Sequence, residues 1–141
     1  FISMVFFVCF LALIGFPISI YWLLIPLVFL IQQLLAFSIG LVLAVLSVFI
    51  EDIREMMPVF VQFWFWFTPV VYVINILPPE YMMFMKLNPF YHFAHAYRDI
   101  VIGHQMPDLE ALFMVFGFSL FVLGTGAFLL KKLERDIRDF V

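Results

Sequence analysis

Ionisable side chains that could do chemistry are rare in this chain, and three of them fall at helical spacing. His92, His95 and Asp99 stand at i, i+3 and i+7, which places them on one side of a helix. Imidazole nitrogens and a carboxylate can bind zinc or act as general acids and bases. Because no fourth ligand lies nearby, we expect no metal site. The trio is also the only feature that favours a membrane-embedded acyl or glycosyl transferase, and a histidine pair beside aromatic residues is more often packing than catalysis.

Arg98 and Asp99 stand side by side shortly before Gly103. One hypothesis is that either residue anchors a short helix through a salt bridge. The other is that they contact a ligand that carries pyrophosphate or sugar. The anchoring role is the more common one for such a pair.

A second group of charges, Asp52, Arg54 and Glu55, separates two long apolar runs. Such a cluster is by default a solvated turn between membrane spans. The alternative is an ion-pair node on the cytoplasmic side, in which Arg54 pairs locally with a carboxylate. The residues leave both interpretations open.

Aromatic residues dominate the segment after these charges. Phe60, Trp64 and Phe67 recur at helical spacing, and Phe63 and Trp66 form an adjacent stripe. One stripe can face lipid or a partner while the other lines a channel. The alternative is a belt of aromatics at the headgroup level. The candidate channel residues are Phe60, Phe63, Trp64, Trp66, Phe67 and Tyr72.

The elements that position these residues follow from composition. Hydrophobic residues make up 67% of the chain, charged residues make up 12%, and the mean hydropathy is +1.18. Soluble domains carry about 25% charged residues, and a span needs about 20 apolar residues. The sequence therefore predicts an all-α integral membrane protein with a single transmembrane domain over residues 1–141. We expect contacts with membrane lipids, and we expect no nucleic-acid partner.

We predict about four transmembrane helices, with further helical elements between the third and fourth. Polar Gln32, Gln33 and Ser38 are expected to face neighbouring helices rather than lipid. Small residues of the last span, Gly117, Ser119, Gly124 and Gly126, offer a close-packing surface. The predicted spans are residues 1–16, 23–50, 58–77 and 110–130, with Pro26 in the first turn of the second and Pro58 opening the third.

Orientation follows from the basic residues. Four of the seven Lys and Arg residues lie in the tail, residues 131–141, which predicts a cytoplasmic C-terminus. Alternation of the spans then puts the charge cluster on the cytoplasmic side and residues 78–107 on the extracytoplasmic side.

The extracytoplasmic segment, residues 78–107, is too long and too aromatic for a plain turn. Asn88-Pro89 is a turn signal, and Phe93 and Tyr97 belong to a helical pattern that follows it. We predict two short helices, residues 81–87 and 90–102, that dip into the outer leaflet and return, shielded by protein or a water-filled path. The alternative is an interfacial amphipathic hairpin that lies on the membrane surface.

Several separate stretches resemble one family in order and spacing. EDIREMMPVFVQFWFWFTPVVY, LPP, LNPF and AYRDIVIG are similar to the C-terminal half of the ABC-2 type permeases that export O-antigen, capsular polysaccharide or teichoic acid. Many members have Arg-Asp where this chain has Glu51-Asp52, so a salt bridge of that Arg is expected to be absent or rearranged. By this resemblance the chain is a fragment of a six-span permease.

The resemblance implies a transport permease that is not itself an enzyme, placed in the inner or plasma membrane of a bacterium or archaeon. A homodimer would move a lipid-linked glycan, energised by separate ATPase subunits. No G-x-x-x-x-G-K-[ST] motif occurs in these residues, so ATP and Mg²⁺ are expected on that partner, with no cofactor in this chain. The alternatives are an ABC-2 permease for a drug or other small molecule and, more remotely, the transferase.

Roles for individual residues follow from the resemblance as well. The charge cluster would lie near the substrate entrance, and the aromatic residues would line the conduit. An extracytoplasmic gate would be formed by Asn88, Pro89, Tyr97, Arg98 and Asp99.

Overall fold

The computed structural model describes residues 2–15, 17, 19–50, 52–68 and 85–138. Secondary structure in these residues is helical, with no strand. The elements are α1 (Ile2–Leu13), a 3₁₀ turn (Ile20–Leu24), α2 (Ile25–Ser47), α3 (Asp52–Phe67), α4 (Pro89–Val101) and α5 (Leu109–Arg138). The predicted all-α class is confirmed for this part of the chain.

Among the described residues, two helical segments are long and apolar enough to cross a membrane. They are Ile20–Ser47, with 28 residues, and Leu109–Leu133, with 25 residues. They correspond to the second and fourth predicted spans. Helix α1 has 12 residues and α3 has 16, which is shorter than a crossing of about 20 residues. The spans at 1–16 and 58–77 therefore stay predictions, and residues 69–77 lie outside the described residues.

The segment that contains α2 begins earlier than predicted, because a 3₁₀ turn precedes the α-helix. The Ser19 hydroxyl oxygen accepts a hydrogen bond from the Tyr21 amide at 3.4 Å. Pro26 lies in the first turn of α2, where the missing amide hydrogen has no intrahelical acceptor. That placement of Pro26 is confirmed.

The predicted start of α3 at Pro58 is wrong. The helix begins at Asp52, so the charge cluster forms its first turn and is not a turn between helices. Asp52 and Glu55 carry negative charge at the end where the helix dipole favours it. Pro58 lies inside the helix and removes the hydrogen bond that its amide would have donated to the carbonyl of Arg54.

Helices α2 and α5 pack along each other and run in the same direction. Residues from the first half of α2, such as Val28 and Leu35, share a buried cluster with Leu112 from the start of α5. Further along, Gly126 approaches Leu41 and Val42 so closely that a Cβ would lie 3.1 Å from Val42 Cγ2. The two helices therefore end on the same side, opposite to the side on which they begin.

The small residues of α5 divide between the two faces of the helix. Ser119 is fully buried and its hydroxyl donates to the Val115 carbonyl at 2.7 Å. Gly126 is buried against α2, whereas a Cβ added at Gly117 or Gly124 would have no neighbouring atom within 4 Å. Close packing at Ser119 and Gly126 is confirmed, and Gly117 and Gly124 face outward from this chain.

Helix α4 fills the space at the beginning of α2 and α5. Its residues Phe93, Ala96 and Ile100 are buried in the same cluster as Trp22 and Leu112. The helix predicted for residues 90–102 is thus confirmed. Most of the other predicted short helix, residues 81–87, lies outside the described residues.

Candidate functional site

The predicted channel residues on α3 fall into two groups. Phe60, Phe63 and Trp66 are exposed, with 64% of Phe63 and 62% of Trp66 accessible. They lie three residues apart, so they form an aromatic surface along one side of the helix, which we call the aromatic face. The side chains of Phe67 and Tyr72 lie outside the described residues.

Trp64 differs from these residues because it joins α3 to α4. Its indole Nε1 donates a hydrogen bond to Asn88 Oδ1 at 3.1 Å. Its ring makes edge-on contacts with Phe60 and with Phe90, each at a centroid distance of 5.4 Å. The structure therefore brings together Trp64 and Asn88, which the sequence assigned to separate parts of the path.

Asn88 is the N-cap of α4. Its Oδ1 also accepts from the Phe90 amide at 3.0 Å, and Pro89 occupies the first helical turn. Its Nδ2 donates to Thr68 Oγ1 at 3.1 Å. The orientation of the amide is fixed chemically, since the Trp64 and Phe90 N–H groups can only donate and must face an oxygen.

Thr68 completes this contact and was missed by the sequence reasoning. It is 7% exposed, and its hydroxyl donates to the Trp64 carbonyl at 3.1 Å. The signal for it is its position four residues after Trp64, because threonine hydroxyls bond back to the i−4 carbonyl near helix ends.

Tyr97 ties the middle of α4 to α2. Its hydroxyl donates to Gln32 Oε1 at 3.0 Å. The predicted inward orientation of Gln32 is confirmed, as is that of Ser38, which is fully buried. Gln33 is exposed in this chain, so the expectation for it is wrong here.

Asp99 closes the C-terminal end of α4. Its carboxylate accepts from His95 Nδ1 at 2.8 Å and from Gln105 Nε2 at 2.9 Å. The turn is tight, since a Cβ on Gly103 would lie 3.0 Å from the Asp99 carbonyl oxygen. Asp99 thus anchors the helix through His95 and Gln105, in agreement with the anchoring hypothesis. Gln105 was not predicted, and the preceding Gly103 was its only signal.

The two histidines of α4 form hydrogen bonds with different partners. His92 Nε2 donates to the Lys86 carbonyl at 2.8 Å, across the Asn-Pro turn, while His95 Nδ1 bonds to Asp99. Across the described ranges, no group of three or more His, Cys, Asp or Glu residues is arranged to hold a metal ion. Arg98 lies half-buried in the last turn of α4, where the helix dipole favours a cation.

The charge cluster lies at the other end of α3 from Trp64. The side chains of Asp52, Arg54 and Glu55 are all exposed. The ion-pair node of Asp52, Arg54 and Glu55 stays a prediction.

Comparison with known proteins identifies the family. The family model described as "ABC-2 type transporter" matches residues 1–102. The chain is 24% identical over 118 residues to the O-antigen export system permease protein RfbA of Myxococcus xanthus, covering 82% of this chain and 45% of that protein. Two proteins of the same name from Klebsiella pneumoniae are 22% and 21% identical, over 86% and 95% of this chain and 48% and 52% of their own lengths.

The chain spans about half the length of the curated relatives it matches. The family match covers more than two thirds of this chain, including α1 to α4. The two long apolar helices are consistent with insertion in a membrane. This chain therefore belongs to the ABC-2 type transporter family.

Proposed function

We propose that this chain forms part of the conduit through which an ATP-driven exporter moves a lipid-linked polysaccharide or related glycopolymer across the inner membrane. The observation that carries the proposal is the similarity to three O-antigen export permeases over 82% to 95% of the chain.

The aromatic face of α3 supports a role in guiding sugar. Aromatic rings offer apolar faces on which sugar C–H groups stack, without a hydrogen bond that would fix one register of the polymer. A polymer can therefore slide along such a surface. Phe63 and Trp66 are exposed and lie to one side of the contact between Trp64 and α4, and Phe60, whose ring touches Trp64, is 54% exposed. This surface can therefore meet a substrate or a second permease subunit.

The depth of α4 supports a re-entrant gate over a helix that lies on the membrane surface. Gln32, which Tyr97 contacts, lies twelve residues into the 28-residue segment Ile20–Ser47. That is about 18 Å of helix, in a segment of about 42 Å and a hydrocarbon core of about 30 Å. The segment is therefore longer than the hydrocarbon core by about 12 Å. If all of this extra length extended beyond the core at the Ile20 end, Gln32 would still lie about 6 Å inside the hydrocarbon.

Orientation and partners complete the proposal. Because α2 and α5 run in the same direction, the charge cluster at the start of α3 and the basic tail after Leu130 lie on one side. The excess of Lys and Arg makes that side cytoplasmic. There Asp52, Arg54 and Glu55 form the node at the substrate entrance, a separate subunit binds ATP and Mg²⁺, and two permeases associate as a homodimer.

A matched pair of substitutions tests the conduit. Phe63 and Phe65 are both exposed, at 64% and 49%, but they lie two residues apart and thus on opposite sides of α3. In cells that depend on the full-length transporter for surface polysaccharide, Phe63→Ala should lower the initial export rate about two- to tenfold, the loss of one stacking contact. Phe65→Ala should leave the rate near that of the unmodified protein.

Membrane levels of both variants are measured beside export. Equal export rates for the two variants, at equal membrane levels, would remove the aromatic face from the substrate path.

A further inference from the structure

The contact between α3 and α4 is a closed ring of hydrogen bonds. Trp64 Nε1 donates to Asn88 Oδ1, Asn88 Nδ2 donates to Thr68 Oγ1, and Thr68 Oγ1 donates to the Trp64 carbonyl, each at 3.1 Å. Each of the three residues both donates and accepts. The ring therefore holds two helices together at positions twenty or more residues apart in sequence.

Capping alone does not explain an asparagine at position 88. Asn, Asp and Ser are about equally good N-caps, and each could accept from the Phe90 amide. Only Asn combines that acceptor with an N–H donor that reaches Thr68 Oγ1. Aspartate has no such donor, and serine is too short to reach both Trp64 and Thr68. An asparagine at position 88 is therefore explained by the contact with α3 rather than by the capping of α4.

Burial makes this contact costly to open. Thr68 is 7% exposed, and the Trp64 ring is held between Phe60 and Phe90. The three bonds are partly buried, so water can replace them only in part, and separating the two helices would leave the buried Thr68 hydroxyl without its Asn88 donor.

We propose that Asn88 is a positioning residue that fastens the start of α4 to the end of α3. Helix α4, on the proposed exit side, then moves together with α3, which carries the proposed conduit residues, as one rigid body during the transport cycle. It does not open independently of α3. This inference rests on the proposed function for its meaning in export, but the contact and its rigidity can be measured without any glycan.

A spectroscopic signature of Trp64 tests the fastening directly. The full-length protein is labelled with 5-fluorotryptophan in lipid nanodiscs, and the ¹⁹F resonance of Trp64 is assigned with Trp64→Phe. Asn88→Ser, which keeps the cap, and Thr68→Val should both shift this resonance, and the double variant should show no further shift. Thr68→Ser keeps the hydroxyl and should leave the resonance unchanged. A Trp64 resonance unmoved by Asn88→Ser, or shifts that add in the double variant, would overturn the inference.

A distance measurement tests the common motion. Spin labels at two exposed positions, Phe63 on α3 and Leu87 two residues before α4, report the separation of α3 from the start of α4. Cys9 and any other cysteines are replaced in this background. In the purified transporter the distance distribution should be the same with and without ATP, and Asn88→Ser should broaden it. A distance that changes with ATP in the protein with Asn88 would overturn the inference. If the distances are as predicted but no glycan is exported, the fastening of α4 to α3 is supported and the proposed substrate is refuted.

Discussion

Removing the Tyr97 hydroxyl tests whether α4 is docked against α2 inside the membrane. Tyr97→Phe deletes a single oxygen atom, and it leaves Gln32 Oε1 without its donor at 3.0 Å. Hydrogen bonds between membrane helices contribute about 0.6 kcal/mol on average and at most about 1.7 kcal/mol. The unfolding equilibrium should therefore shift by about three- to eighteenfold.

The assay is equilibrium unfolding of the full-length protein in mixed micelles with a rising fraction of SDS, followed by circular dichroism. Tyr91→Phe is the matched control, since the described contacts of Tyr91 are those of its ring with His92 and His95. It should leave the unfolding midpoint unchanged.

A double substitution separates the hydrogen bond from general packing. Gln32→Leu alone leaves the phenol unpaired and should destabilise the protein. With Tyr97→Phe added, both polar groups are gone, and the loss should be smaller than the sum of the two single losses. Strictly additive losses, or a Tyr97→Phe protein as stable as the unmodified one, would refute the docking of α4 through this bond.

Two further substitutions test the packing of α5 and the end of α4 by the same unfolding assay. Gly126→Leu should destabilise by about 1–3 kcal/mol through overpacking against α2, whereas Gly117→Leu, which meets open space, should be neutral or slightly stabilising; similar losses for both would contradict the packing. Asp99→Ala should cost about 0.5–1.5 kcal/mol because it removes the acceptor of the His95 and Gln105 hydrogen bonds, whose donors stay accessible to water. Asp99→Asn keeps an oxygen for Gln105 and should retain most of the stability, so an equal loss for both would argue against the anchoring role.

The helices were largely predictable because long runs without charge can only cross a membrane as helices. The second and fourth spans follow from that argument alone. The start of α3 was misplaced because Pro58 was taken as a helix start, whereas Asp52 and Glu55 stabilise an earlier first turn. The 3₁₀ turn before α2 was not predicted, because its residues are all apolar and show no periodicity that distinguishes them from the start of the α-helix.

Neighbouring polar residues show the limit of the sequence pattern. Gln32 and Gln33 are about 100° apart around α2, so they cannot both face the same neighbouring helix. Gln32 meets Tyr97 and Gln33 is exposed. The choice depends on where α4 packs, which is a tertiary property.

The contact of Trp64, Thr68 and Asn88 was not predictable for the same reason. It joins Asn88 to residues twenty and twenty-four positions earlier in the sequence, and no helical period relates Asn88 to them. The sequence identified Trp64 and Asn88 as notable, but it assigned the first to a channel wall and the second to a gate. The structure adds the bond between them and the threonine that completes it.

The most direct test of the account is ATP-driven movement of a lipid-linked polysaccharide. The full-length permease and its partner ATPase are reconstituted in liposomes, and glycan that becomes accessible on the opposite side is counted with and without ATP. The account predicts glycan transfer that requires ATP, that is slowed by Phe63→Ala and that is unaffected by Phe65→Ala. ATP-driven transport of a small hydrophobic molecule, with no transfer of the glycan, would contradict it.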